Sequence, residues 1–157
     1  MLDIVLFEPE IPANTGNIIR LCANVGAQLH LIQPLGFELD DKRLRRAGLD
    51  YHEWVSIRQY ASLADYINRA TPPNLYALTT KGSKVYSQIN FQDGDALLFG
   101  PESRGIPASF LQTLPAEHKL YLPMRQESRS LNLSNCVSIV LYEAMRQLNF
   151  PGAVLKA

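Results

Sequence analysis

Little in this sequence points to a metal, a membrane or an export route. Its 157 residues include two cysteines, Cys22 and Cys136, and neither stands in a CxxC pair or beside a histidine cluster. That pattern excludes the usual structural zinc sites, so no metal is expected, and two free thiols suit a reducing cytoplasm. No apolar run approaches the roughly 20 residues that span a bilayer. The start, Met1-Leu2-Asp3-Ile4, has neither the basic residues nor the cleavage site of a signal peptide. Net charge is also missing, because 15 basic residues balance 15 acidic ones. A dedicated nucleic-acid-binding domain is often strongly basic. There is no GxGxxG after the first strand, no P-loop and no GxSxG elbow, which excludes the common dinucleotide, nucleotide and hydrolase signatures. His30, His52 and His118 are scattered, and structural or surface roles suit them better than a triad.

What is present is a core. Hydrophobic residues make up 46% of the chain, enough for one compact domain over residues 1–157. Residues 2–7 form an apolar run typical of a buried strand. A polar turn follows, and Asn14 is a plausible cap for a helix to about Val25, with Ile18, Leu21, Cys22 and Val25 as its core stripe. At about 100° per residue, Arg20 falls on the far side of that helix. Gly26 closes it. Further strands are expected at residues 28–33, 53–57, 75–79, 95–99 and 120–122. Helices are expected at 40–47, 60–69, 107–114 and 132–148. Strands alternating with helices imply an α/β domain with a mainly parallel sheet.

The last helix carries an apolar stripe at Leu133, Val137, Val140, Leu141, Ala144 and Leu148. Its opposite side carries Ile139, Tyr142 and Met145. A helix apolar on two sides needs two partners. One is the sheet; the other is either a second subunit or the chain itself, and so short a chain favours an isologous homodimer. Ser130, Asn132, Ser134 and Asn135 crowd the start of this helix, more capping side chains than one helix end uses. Three polar loops, at 79–83, 100–105 and 124–130, follow strands at the end where α/β sheets bind ligands. Gly100 and Gly105 permit close backbone approach or positive φ. Asn14, Arg20 and Glu102 read either as a cap, a surface arginine and a loop carboxylate, or as parts of a site. Lys42, Arg43, Arg45 and Arg46 form a basic group that is either a solvated face or a phosphate-binding one.

Three segments carry a family resemblance. Asn14-Thr15-Gly16-Asn17-Ile18-Ile19-Arg20, Leu98-Phe99-Gly100-Pro101-Glu102-Ser103-Arg104-Gly105, and Leu122-Pro123-Met124 through Ser130-Leu131-Asn132-Leu133-Ser134-Asn135 occur in that order. They resemble the three motifs of the SPOUT class of RNA methyltransferases. The resemblance extends to Asp41-Lys42-Arg43-Leu44-Arg45-Arg46-Ala47-Gly48-Leu49-Asp50-Tyr51-His52, Leu78-Thr79-Thr80-Lys81-Gly82 and Pro151-Gly152-Ala153-Val154-Leu155, and so covers nearly the whole chain. It implies a mainly parallel sheet with helices on both faces and a C-terminal deep trefoil knot. General topology rules alone do not suggest a knot.

The resemblance further implies S-adenosyl-L-methionine as cofactor, held by Leu78, Thr79, Gly100, Leu122, Met124, Ser130, Leu131 and Leu133. It implies methylation of the ribose 2′-hydroxyl of the wobble nucleotide, a cytidine or cmnm5-uridine at position 34, in leucine tRNAs. Arg20, Asn14, Glu102 and Asn132 would be the catalytic set. Lys42, Arg43, Arg46, Arg125 and Arg129 would meet RNA phosphates, and Ile139, Tyr142 and Met145 would form the dimer interface. A ribosomal RNA 2′-O-methyltransferase of the same class would carry the same motifs; a non-catalytic RNA-binding knot protein is the rival from another class, and the intact Arg20 together with the polar cradle argues against it.

Overall fold

The computed structural model describes residues 1–40, 42, 46 and 56–157. Its centre is a seven-stranded sheet in the order β3-β2-β1-β6-β4-β7-β5. The strands are β1 (Asp3–Phe7), β2 (Gln28–Ile32), β3 (Arg58–Tyr60), β4 (Leu75–Leu78), β5 (Lys84–Val85), β6 (Ala96–Phe99) and β7 (Lys119–Tyr121). Every pairing is parallel. Strands β4 and β6 are buried along their whole length, as expected for a parallel sheet covered on both faces.

Side-chain alternation sorts the core into two layers. Ile4 and Leu6 of β1 join α1 (Pro12–Val25) and the final helix on one face. Val5 points the other way, to α2 (Leu63–Ala70) and α3 (Ala108–Leu111). The final helix, α4 (Leu133–Gln147), buries Val137, Val140, Leu141, Ala144 and Met145. Each large apolar side chain so buried contributes about 1.5–3 kcal/mol. The helices after the adjacent strands β1 and β6 thus lie on opposite faces of the sheet. Their connecting loops diverge there, which opens a crevice at the carboxyl ends of the strands.

Several local details differ from the sequence reading. Asn14 is not the cap of α1. The helix begins at Pro12, whose fixed φ suits the first turn, and the N-cap is Ile11, with no side-chain cap of its own. Asn14 lies inside the first turn and is buried. Residues 60 and 61 are not helical: Tyr60 ends β3, and Ser62 caps α2 through a bond from the Asp65 amide to its Oγ. Of the strand expected at 53–57, residues 53–55 lie outside the described residues, 56 and 57 are not in a strand, and β3 begins at Arg58. The short α3 stops at Leu111, well before residue 114. Tight bonds from Thr113 to Phe110 O and from Leu114 to Leu111 O close it ahead of Pro115.

Met145 is also misassigned by the helical wheel. It is 5% exposed and packs in the core, because it follows Leu141 by one helical turn. Ile139 and Tyr142 do face outward, 39% and 50% exposed. Of the basic segment, Lys42 and Arg46 are helical and exposed, while Arg43 and Arg45 lie outside the described residues. No helix among the described residues is long and apolar enough to cross a membrane.

Candidate active site

The carboxyl-end loops of β4, β6 and β7 converge on one cleft of about 510 Å³. From β4 come Leu78, Thr79, Thr80 and Lys81. From β6 come Gly100 to Ile106, and from the β7–α4 connection come Leu122, Met124 and residues 129–133. All eight residues expected to hold a cofactor line it: Leu78, Thr79, Gly100, Leu122, Met124, Ser130, Leu131 and Leu133. The lining has two characters. Leu78, Phe99, Ile106, Leu122 and Leu133 supply apolar surface suited to a flat ring. Thr79, Ser130 and Asn132 supply polar groups suited to hydroxyls and a charged tail.

Tight backbone packing shapes the cleft. A Cβ on Gly100 would stand 2.3 Å from Gly105 C and Ile106 N, so this position admits only glycine without movement of the loop. Gly105 turns that loop at φ +71°, and its amide donates to Pro101 O at 2.9 Å. On the β4 side, a Cβ on Gly82 would meet Leu120 C and O at 2.5 Å. The turn after β4 therefore rides directly on β7.

Three of the four expected catalytic residues meet in a hydrogen-bonded chain. Asn132 caps α4, its Oδ1 accepting from the amides of Ser134 (2.9 Å) and Asn135 (3.4 Å). Its Nδ2 donates to Asn14 Oδ1 at 3.1 Å. Asn14 Nδ2 in turn donates to Glu102 Oε1 at 3.4 Å. The Glu102 carboxylate also accepts from the backbone amides of Glu10 (2.8 Å) and Ile11 (3.1 Å). It thereby serves the amino end of α1 that has no side-chain cap of its own, and a negative charge suits that end of the helix dipole. Each of the three side chains lines the cleft. Arg20 does not: it is exposed on α1 and absent from the wall of its own cleft.

The cleft wall carries cations that the sequence reading only partly anticipates. Of the two loop arginines expected to meet RNA phosphates, Arg129 lines it, joined by Lys81 and Arg104, while the exposed Arg125 does not. Glu10 lies outside all three motifs, and Ser103, inside the second, is given no role by them. The Glu10 carboxylate accepts from the Ser103 amide at 2.8 Å and from its hydroxyl at 2.8 and 2.9 Å. Those bonds, the backbone one foremost, hold the Glu10 carboxyl below the usual carboxylate range. The acidic run Glu8-Pro9-Glu10 just before a helix was the available signal. Cys136 also lines the cleft, and burial pushes its thiol up, away from the reactive thiolate. Among the described residues no group of His, Cys, Asp and Glu could hold a metal ion.

Comparison with known proteins gives the chain its relatives. The chain is 60% identical over 156 residues to the tRNA (cytidine(34)-2′-O)-methyltransferase of Escherichia coli K12, covering 99% of each chain. It is 60% identical over 161 residues to the enzyme of the same name from Yersinia pestis, again covering 99% of each. A structure solved for insight into the 2-OH methylation of C/U34 on tRNA is 44% identical, with a TM-score of 0.85 over 95% of this chain and 97% of that one. An AdoMet-bound rRNA methyltransferase from Sinorhizobium meliloti is 27% identical, with a TM-score of 0.80 over 94% of this chain and 56% of that one. The model of the SpoU rRNA Methylase family matches residues 1–142. With its all-parallel sheet and its three motifs gathered at one cleft, the chain belongs to the SpoU rRNA Methylase family and is a methyltransferase of the SPOUT fold.

Proposed function

We propose that this chain binds S-adenosyl-L-methionine in the cleft and methylates the ribose 2′-hydroxyl at the wobble position of tRNA. The target is a cytidine or cmnm5-uridine 34 of leucine tRNAs, modified in the cytoplasm. The observation that carries this reading is the convergence of all eight expected cofactor residues on one cleft. It occurs in a chain 60% identical to enzymes named for that reaction.

The residues present fit the cofactor: an apolar slot for an adenine ring beside hydroxyl and amide groups for the ribose and the amino-acid tail. When bound, the cofactor supplies a methyl group on a sulfonium, already activated for transfer. What the chain must add is position and proton removal. Asn132, Asn14 and Glu102 hold the amino ends of α4 and α1 in fixed relation and present amide and carboxylate groups to an incoming ribose. Glu102 is the wall residue able to accept a proton, and the cations Lys81, Arg104 and Arg129 suit RNA phosphates. Arg20 acts from a second subunit, since it is exposed and stands outside its own cleft. Its guanidinium has only N–H donors to offer, so it orients the ribose or a phosphate. The homodimer packs through the exposed Ile139 and Tyr142 of α4.

The knot implied by the family belongs to the same proposal. Residues 79–120 form a loop closed at its base by Thr79 N–H to Leu120 O and Ser83 N–H to Lys119 O, both 2.9 Å. The chain beyond returns as α4, whose Gln147 side chain ties it to Ile89 O and Phe91 N at 2.9 Å each. Threading α4 through that loop accounts for both sets of contacts.

The test is transfer of labelled methyl from S-adenosyl-L-methionine to bulk tRNA lacking the modification, with nuclease mapping of the product. Label on the wobble ribose of leucine tRNAs is the expected result. Label at another nucleotide, or none despite cofactor binding, overturns it.

A further inference from the structure

The loop that carries Glu102 is held by a reciprocal clasp. Residues 8–11, which lead from β1 into α1, and residues 102–104, which follow β6, each offer a carboxylate to the other's backbone. Glu102 accepts from the amides of Glu10 and Ile11 at 2.8 and 3.1 Å. Glu10 accepts from the amide and hydroxyl of Ser103 at 2.8 to 2.9 Å. A longer contact, Arg104 to Glu8 at 3.8 Å, spans the same seam. On its other side the 8–11 segment is anchored by the Gly36 amide, which donates to Pro9 O at 2.9 Å. A Cβ on Gly36 would lie 2.8 Å from Glu10 Cα. Glu10 therefore works from a backed support, and the seam it closes joins the two loops that diverge at the crevice.

Helix capping alone explains Glu102. It does not explain Glu10, whose carboxylate serves no helix and reaches across to the neighbouring loop. We propose that Glu10 is a positioning residue for methyl transfer: by gripping Ser103 it fixes the Glu102 carboxylate, and with it Asn14 and Asn132, at the cleft. This rests on the methyl-transfer reading above. Without Glu10 the seam loses one half of the clasp, so the 102–104 segment can shift and the bonds from the Glu10 and Ile11 amides to Glu102 open more readily. A displacement near 1 Å at a reacting centre lowers turnover by up to about a hundredfold.

The test compares wild type, Glu10→Ala, Glu10→Gln and Ser103→Ala. Single-turnover transfer to tRNA is measured at saturating cofactor, together with melting and amide hydrogen exchange. Glu10→Ala should cut the maximal rate by about 10- to 100-fold while KM for tRNA stays within about threefold. Glu10→Gln retains one oxygen acceptor for the Ser103 amide and should recover part of the loss. Ser103→Ala retains the amide and should lose less than Glu10→Ala. In exchange, Glu10→Ala should expose the amides of both Ser103 and Ile11. An alanine variant with the wild-type rate overturns the proposal, as does a rate loss matched by lost folded protein. Should Glu10→Ala not fold, wild-type rates in both Glu10→Gln and Ser103→Ala overturn it equally. Wild-type protein that transfers no methyl to tRNA rejects the functional reading instead. The exchange measurement then decides alone, and unchanged protection at Ile11 refutes the clasp.

Discussion

Replacing Gly100 by alanine should separate cofactor binding from overall stability. The added Cβ would stand 2.3 Å from Gly105 C and Ile106 N, whereas ordinary contact begins near 3.4 Å. One strand of backbone must therefore retreat by about 1 Å, and no rotamer change can relieve it because both contacts are main chain. Overpacking of this kind costs about 1–3 kcal/mol. At roughly 3 °C per kcal/mol for a chain of this size, melting falls by roughly 3–9 °C. The larger effect is local. Gly100, Gly105 and Ile106 all line the cleft, so a 1 Å shift there should weaken S-adenosyl-L-homocysteine binding by at least about tenfold. Gly94→Ala is the control. It sits at the other end of β6, at φ +89° and with only Pro73 nearby at 3.5 Å. It should cost about 1 kcal/mol of backbone strain and leave affinity unchanged. Calorimetric titration and thermal melts of both variants decide the matter. A Gly100→Ala protein that binds like wild type, or a Gly94→Ala protein with the same affinity loss, would refute the reasoning.

Arg20→Ala should abolish methyl transfer and leave cofactor affinity nearly intact, since Arg20 stands outside the cleft wall; full activity removes it from the mechanism. Tyr142→Asp places a charge on the exposed face of α4 and should shift the sedimentation equilibrium toward monomer; an unchanged dimer puts the interface elsewhere. Reversing Arg43 and Arg46 to Glu should weaken tRNA binding and flatten its salt dependence by about 0.7–0.9 per lost phosphate contact; unchanged slopes make this a solvated face. Cys22, whose thiol burial pushes up to about 12, should resist alkylation at pH 8 until the chain unfolds. Because the folded value is raised above 9.0, its contribution to stability is complete below pH 9 and is lost as pH rises toward about 12. A Cys22→Ser variant with the same alkaline melting profile contradicts that.

Where the sequence reading succeeded, the signal was local. Asn132 caps α4 within three residues of itself, and the apolar stripe from Leu133 to Ala144 is set by helical period. Buried parallel strands such as Leu75–Leu78 announce themselves as unbroken apolar runs. The grouping of Leu78, Gly100, Leu122 and Ser130 came from the family resemblance, while the strand-end loops pointed only to the segments that carry such residues. The misses were long-range or too short to have a pattern. Asn14 looks like a cap only because the group that serves this end of α1, Glu102, lies 91 or more residues from the amides it accepts. The two-residue β5 carries no periodicity, and its existence depends on β7. Met145 was legible and misread: its spacing from Leu141 already places it on the core side.

The place of β7 also constrains how this protein can be made. β5 follows β4 after only residues 79–83, yet the two do not pair; β7 lies between them. A chain emerging from the ribosome therefore has nothing to give the outer edge of β4, or β5 at all, until residues 119–121 are synthesised. At about 5–20 residues per second, that edge stays open for a few seconds. An uncovered parallel strand of Leu75-Tyr76-Ala77-Leu78 is an aggregation-prone template. Truncation between residues 79 and 118 leaves that template permanently uncovered. The nascent chain thus passes through a vulnerable interval whose length is set by the position of one three-residue strand.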